Sequence, residues 1–593
     1  MMPQNGEIYT YRAGRKIALT KEPDQFVVRA LPGEIQREIG IPDATQVSAS
    51  SSRVVTDREE LEPLMTRARH LAPTHHVYRV ADTQKEFLVT DRIIVSFHEP
   101  LPSKEVGAFA GRYGLFVLES YSDRDYLFQL TDQTGMNPVK LVVELTEQEP
   151  LVASAEHDLN YVMNKYQELV PSDPSYLKQW HLHSRSGEPA FDPRATSRCE
   201  EAWQLLGHHG SPDIVVGVTD DGCRLDHPDF DSPDKFAGWG YFRGPRLYTN
   251  KDVDADPASM YEAGSDHGTS CAGVIGAEAD ALLTVGAAPG CRLLPIKWES
   301  SGPSLFISDS KLLRALNYVQ DKVDILSNSW GGVPVTLWPE VVIRRIRELA
   351  LTGGRRGRGI LFLWAAGNEN CPIHHTADQD VPYTSGVSFR PDGSLVWVGV
   401  EKTRVFSNNL VGIPGVMHVA ALASTAQRSH YSNYGTGVSV CAPTNNVHEY
   451  YRVPVQGLGI TTTEGQGVTD RFGGTSSATP LAAGIAALVL SANPALSALE
   501  LASLLKRTAS KELNLEGYPK TPPASFDPDP SWDVSPIAPF DKGDFQDIGD
   551  PDGTWSPWFG HGKTDARVAV EEALKSRESV PGSGGLDEER LRA

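Results

Sequence analysis

The chain has 593 residues, 40% of them hydrophobic and 22% charged, with a formal net charge of -21. That composition is expected of a soluble globular protein of about two to four domains, and the acidic balance excludes nucleic acid and anionic membranes as expected partners. No apolar run approaches the roughly 18 residues of a membrane span, because the longest, around Leu481 to Leu490, is broken by Gly484 and ends at Asn493-Pro494. The N-terminal stretch lacks the apolar core of a signal peptide, so a cytoplasmic location is expected. Six scattered cysteines without CxxC spacing read as buried free thiols.

Residues 1–88 alternate weakly, in GEIYTYRAG and DQFVVRAL, which predicts short strands of no assigned chemistry. From Asp91 the apolar pattern sharpens into strand, helix, strand, strand, helix and strand. That order predicts a ferredoxin-like domain over 89–160. The polar stretch 161–177, with Pro171 and Pro174, reads as a linker open to proteases. Beyond it, over 178–576, buried apolar strands such as IVVGVT and ILFLWA alternate with helical patterns such as SKLLRALNYVQ. This predicts an α/β domain with a mostly parallel sheet covered on both faces. Insertions near 371–412 and 513–558 exceed ordinary connection lengths, and the tail 577–593 has the composition of a disordered segment.

Four residues fall where such sheets gather chemistry, at strand ends and the helix starts that follow. Asp220 closes the VVGVT strand and could hold an imidazole in one tautomer. His267, at a helix start, could be a general base, and Asn368, after WAAG, could donate its amide to an oxyanion. Ser476 stands in GGTSSATP, just before the small-residue run LAAGIAALVL, and is the candidate nucleophile. Each alone reads equally well as a cap or turn residue. Together they fall in the chain order Asp, His, Asn, Ser.

The chain here resembles the subtilisin-like serine proteases (subtilases, peptidase family S8), over residues 175 to 576. Asp220-Asp221-Gly222 is similar to the family's Asp-x-Gly, His267-Gly268-Thr269 to its His-Gly-Thr, Ala366-Gly367-Asn368 to its oxyanion segment, and Gly474 through Pro480 to its Gly-Thr-Ser-x-Ala-x-Pro. The resemblance implies a subtilisin-like three-layer fold and a serine endopeptidase acting on proteins or peptides. It also implies that the ferredoxin-like unit is a propeptide that inhibits its own enzyme. The substrate is expected along Ser329, Trp330 and Gly331, with Ala365, Ala366 and Gly367 as further binding residues.

QWHL, SNSWGG and the apolar run after Thr479 look most like the kexin or proprotein-convertase branch, but three features depart from it. No acid follows Gly331-Gly332, the linker has no dibasic pair, and little chain remains for that branch's C-terminal β domain. Asp378, Asp380 or Glu401 could restore an acidic pocket. Asp252, Asp254 and Asp256 alternate in NKDVDADP, which suits calcium, and the family's frequent calcium sites favour binding there. A rival reading is a latent subtilisin-like module that captures peptides without turnover.

Overall fold

The computed structural model describes residues 8–41, 44–47, 51–81, 86–131, 133–159, 169–389, 395–448, 455–516 and 537–578. The chain divides into two compact units, Met1–Tyr166 and Gln167–Ala593.

In the first unit, the strand Val89–Phe97 alternates buried and half-buried residues along its length, the period of a sheet with one packed face. It pairs with Asp125–Leu130 on one side and Val152–Leu159 on the other, and Leu115–Ser120 completes the sheet beyond Asp125–Leu130, all antiparallel. Strands one to four of this layer therefore lie in the order 4-1-3-2, the split βαβ arrangement. Helices Ser103–Arg112 and Pro138–Gln148 cover its face through Val106, Phe109, Leu141, Val142 and Leu145. Asn137 caps the second helix, its side chain accepting from Val139 N at 2.8 Å.

The preceding residues form a second antiparallel sheet built on the long strand Arg15–Val28. Two short helices, Pro32–Ile39 and Leu61–Arg69, set Ile35, Ile39, Leu61 and Met65 against Phe26, Val28 and Val54. The sequence reading has only strands here; helices of two turns leave too few repeats for periodicity to speak. Tyr9 and Tyr11 both donate to Glu147 at 2.9 Å.

The second unit is organised on an eight-stranded sheet. Its order runs Arg246–Thr249, Gly240–Arg243, Arg292–Lys297, Val215–Asp220, Ile325–Asn328, Leu361–Ala365, Val416–Leu422, Val438–Pro443. Only the first pair is antiparallel. Alternate residues feed two cores: Leu361 and Leu363 enter one, Phe362 and Trp364 the other. Leu312, Leu316 and Val319 of the helix Asp309–Val319 pack on the second core, as their spacing predicts.

The helix Thr475–Ala492 fills the first core, with every residue except Ser491 buried. It is long and apolar enough to cross a membrane by length and composition, which corrects the reading that Gly484 breaks the run: the helix continues through Gly484, where Ala287 and Ile275 approach closely. The insertion from Cys371 is also more regular than a loop. His375–Phe389 and Leu395–Asn408 form an antiparallel ribbon, consistent with the β-branched and aromatic residues of VPYT and KTRVF.

Residues 161–168 of the expected linker, part of the 513–558 insertion and the tail beyond 578 lie outside the described residues. From Val170 onward the chain is packed: Tyr176 is buried, and Ser175 N donates to Leu283 O at 3.1 Å.

Candidate active site

Asp220 ends the central strand, fully buried, where the helix His267–Gly276 begins. His267 Nδ1 lies 2.8 Å from Asp220 Oδ1. A carboxylate only accepts, so Nδ1 carries the proton and, in the neutral ring, Nε2 is left as the acceptor. Desolvation opposes charge on this ring, but 39% of the side chain is open to solvent. The Asp220 carboxylate, with the Cys271 thiol beside it, decides the direction and raises the His267 pKa well above its ordinary value.

Asp221 has a separate task. Its Oδ1 accepts from Gly268 N at 2.7 Å, pinning the first turn of the helix that bears His267. Burial, and then the charge of Asp220, push its carboxyl up to about 6. Contact here is close enough to demand glycine at 268, since a Cβ would stand 2.1 Å from Gly222 O.

Ser476 is the second residue of the helix Thr475–Ala492, where first-turn N–H groups have no intrahelical acceptor and favour negative charge nearby. Four residues on, Pro480 has no N–H to return to the Ser476 carbonyl. That carbonyl accepts instead from Ser329 Oγ at 3.0 Å and Cys271 Sγ at 3.5 Å. The Ser476 hydroxyl itself lies 3.4 Å from Ser329 O.

Asn368 follows the strand Leu361–Ala365. Its Oδ1 accepts from Thr475 N at 2.8 Å and Thr475 Oγ1 at 2.9 Å, so the side chain is tied to the same helix start. The amide nitrogen remains as a donor, and a Cβ on Gly474 would stand 3.2 Å from it. The structure thus brings Asp220, His267, Asn368 and Ser476 to adjoining strand ends and helix starts.

Trp330 is anchored by its indole N–H, 2.8 Å from Thr219 Oγ1, and Gly331 has open space about its α-carbon. Ala366 and Gly367 use their backbone groups within the protein: Ala366 N donates to Val419 O and Gly367 N to Thr475 Oγ1. They can wall the site rather than pair with a ligand strand. On the ribbon, Asp380 is paired with Arg404 at 2.9 Å and Glu401 accepts from Tyr383 Oη at 2.6 Å, so both carboxylates already have partners.

The three alternating aspartates do not converge as a cation site. Asp252 and Asp254 both accept from Arg246, and Asp256 caps Ala258 N. A better fit for a hard cation is a pair that sequence reasoning missed. Asp173 Oδ2 and Asp229 Oδ1 are buried without hydrogen-bond partners. Their other oxygens accept from one loop, from Asp280 N at 3.3 Å and Thr284 N at 3.0 Å. Burial raises Asp173 to about 6 and Asp229 to about 7. Asp229 was visible in HPDF, whereas Asp173 sits in a stretch whose two prolines read as linker.

A family model described as Peptidase_S8, Subtilase family, matches residues 211–530. A calcium-dependent protease of Trichormus variabilis is 27% identical over 527 residues, covering 84% of this chain and 65% of its own. Proprotein convertase subtilisin/kexin type 4 of Homo sapiens is 30% identical over 356 residues, 59% of this chain and 39% of its own. The chain thus spans less than two thirds of the length of either relative. Among solved structures, a serine protease of Aeromonas sobria in complex with its chaperone is 20% identical, with a TM-score of 0.47 over 68% of this chain and 67% of that one. The family match takes in Asp220, His267, Asn368 and Ser476 along with more than half of the 593 residues, and the chain therefore belongs to the Subtilase family.

Proposed function

We propose that the protein is a serine endopeptidase that hydrolyses peptide bonds through an acyl-enzyme. The observation that carries this reading is the Asp220–His267 hydrogen bond set beside a serine at the start of a buried helix. Ser476 Oγ attacks the substrate carbonyl while His267 Nε2 takes its proton, then returns it to the leaving amine. Asp220 keeps the ring in the required tautomer and stabilises the imidazolium as it forms. Asn368 Nδ2 and the Ser476 backbone N–H meet the negative charge on the tetrahedral oxygen. Water enters by the same route and releases the acid. The substrate lies extended along Ser329-Trp330-Gly331, where main-chain pairing gives affinity with little demand on sequence.

The protein is made as a latent precursor in this reading, and residues 89–160 are its propeptide, an intramolecular inhibitor. The βαββαβ order supports the assignment. Cleavage in the 160–177 stretch, ahead of Asp173, releases that unit. Dibasic specificity is not part of the proposal, since Val333-Pro334 follows Gly331-Gly332 and Asp380 and Glu401 are engaged. Calcium is a structural cofactor held by Asp173 and Asp229, in keeping with the printed name of the calcium-dependent relative. When bound it supplies the positive charge that the two buried carboxylates lack.

Intact mass of wild type and Ser476→Ala, each with calcium and with chelator, tests the reading together with labelling by a fluorophosphonate. Wild type with calcium is expected to take the label and lose an N-terminal piece ending ahead of Asp173, and Ser476→Ala to do neither. Labelling without a mass change would retain the protease and discard self-processing. Absence of both would favour the latent module.

A further inference from the structure

We propose that Asn433, acting with Glu369, is a positioning residue that holds the oxyanion donor Asn368 in place; the inference rests on the protease reading above. Asn433 is completely buried, and its hydrogen-bonding groups are spent on the loop that carries Asn368. Its backbone N–H donates to Gly367 O at 3.0 Å. Its Nδ2 donates to Ala366 O at 3.0 Å and to Glu369 Oε2 at 2.7 Å. Its Oδ1 accepts from Glu369 N at 3.0 Å and Cys371 N at 3.1 Å.

Residues on both sides of Asn368 are thus fastened to one side chain. Asn368 is fastened through Glu369, whose Oε2 also accepts from Asn368 N at 2.8 Å. A short side chain with both a donor and an acceptor can bind carbonyls and N–H groups of the same turn, and asparagine supplies both. The fit excludes any side chain at 367: Gly367 has φ +103°, and a Cβ there would stand 2.3 Å from Asn433 Nδ2 and 2.6 Å from Glu369 Oε2.

The same segment reaches the other half of the site. Tyr431 O accepts from Asn370 N at 2.9 Å, and Tyr431 Oη accepts from Gly474 N at 3.0 Å, two residues before Ser476. The stretch 431–433 therefore spans the distance between oxyanion donor and nucleophile. An oxyanion donor acts through fixed placement, and its contribution is lost when it must reorganise during the reaction. Holding Asn368 is thus a contribution to kcat rather than to substrate affinity.

The test is a double-mutant cycle on the full chain, read by kcat and KM on one chromogenic peptide, with thermal unfolding to establish folding. Asn433→Ala and Glu369→Ala are each expected to lower kcat about tenfold or more, within the roughly 100- to 1,000-fold ceiling of losing a donor outright, while KM stays nearly constant. Glu369→Gln keeps an oxygen acceptor for Asn368 N and is expected to restore most of the loss. In an Asn368→Ala background neither change should lower kcat much further, because the donor being held is gone. Full additivity in that background, or wild-type kcat in Glu369→Ala, would overturn the proposal while leaving the protease reading intact. Should Asn433→Ala not fold, the Glu369 pair decides alone. A wild type that neither hydrolyses peptide nor takes a fluorophosphonate removes both.

Discussion

The hydroxyl of Ser329 donates to the carbonyl of Ser476 at 3.0 Å, filling the place that Pro480 leaves vacant in the helix ladder. Ser329→Ala leaves that buried carbonyl with only the weak thiol donor of Cys271. A buried acceptor without its partner costs about 1–3 kcal/mol, so urea unfolding should shift by that order. An unmoved midpoint would mean that the helix start does not depend on this bond.

Asp220→Asn should lower kcat on the order of 10⁴-fold with little loss of fold, by replacing the acceptor-only carboxylate that sets the His267 tautomer with an amide that can also donate. The pH profile carries the more specific signature. Only neutral His267 accepts a proton, so activity rises with pH, and the raised pKa places the acid limb of kcat/KM above the ordinary histidine value of about 6.5. In Asp220→Asn the limb should move down. Linkage gives the matching sign for stability: the ion pair stabilises the fold at low pH and that contribution fades as pH rises through the raised value. A limb at the same pH in both proteins would remove Asp220 as the cause.

Asn368→Ala should lower kcat by about 100- to 1,000-fold with a small change in KM. The structure adds a cost, because Thr475 N and Oγ1 both lose Asn368 Oδ1, and about 1–3 kcal/mol of unfolding free energy should go with them. Calorimetry beside steady-state kinetics separates the two effects.

Chelation should lower the thermal midpoint of wild type, and free calcium at about 100 times its Kd should return about 2.7 kcal/mol. Asp229→Ala should abolish that calcium response. Asp252→Asn should keep it, since that carboxylate is engaged by Arg246 and Thr249. A response lost in Asp252→Asn and kept in Asp229→Ala would return the site to the acidic turn.

The candidate site is legible in the sequence because each member stands next to residues that its geometry demands. Gly268 lets the His267 helix approach Asp220, and Asn368 follows a glycine of positive φ. The ferredoxin-like layer and the parallel sheet were legible for another reason: their strands are long enough to show either period two or continuous burial. What stayed hidden depends on contacts far apart in sequence. Asp173 meets the loop near Asp280 across more than a hundred residues, and Asn433 meets Glu369 across 64. Neither pairing leaves a local pattern, and the ribbon within 375–408 lies in a stretch whose length reads as a long loop.

Helix Thr475–Ala492 carries Ser476 at one end and the centre of the core along the rest. The backbone that bears the hydroxyl is part of a buried helix rather than of a surface loop. Amide hydrogens in the middle of the helix should therefore exchange far more slowly than those of its first turn, which have no intrahelical acceptor. Under the proposed activity, the segment that cuts is itself withheld in the core from cutting by other copies.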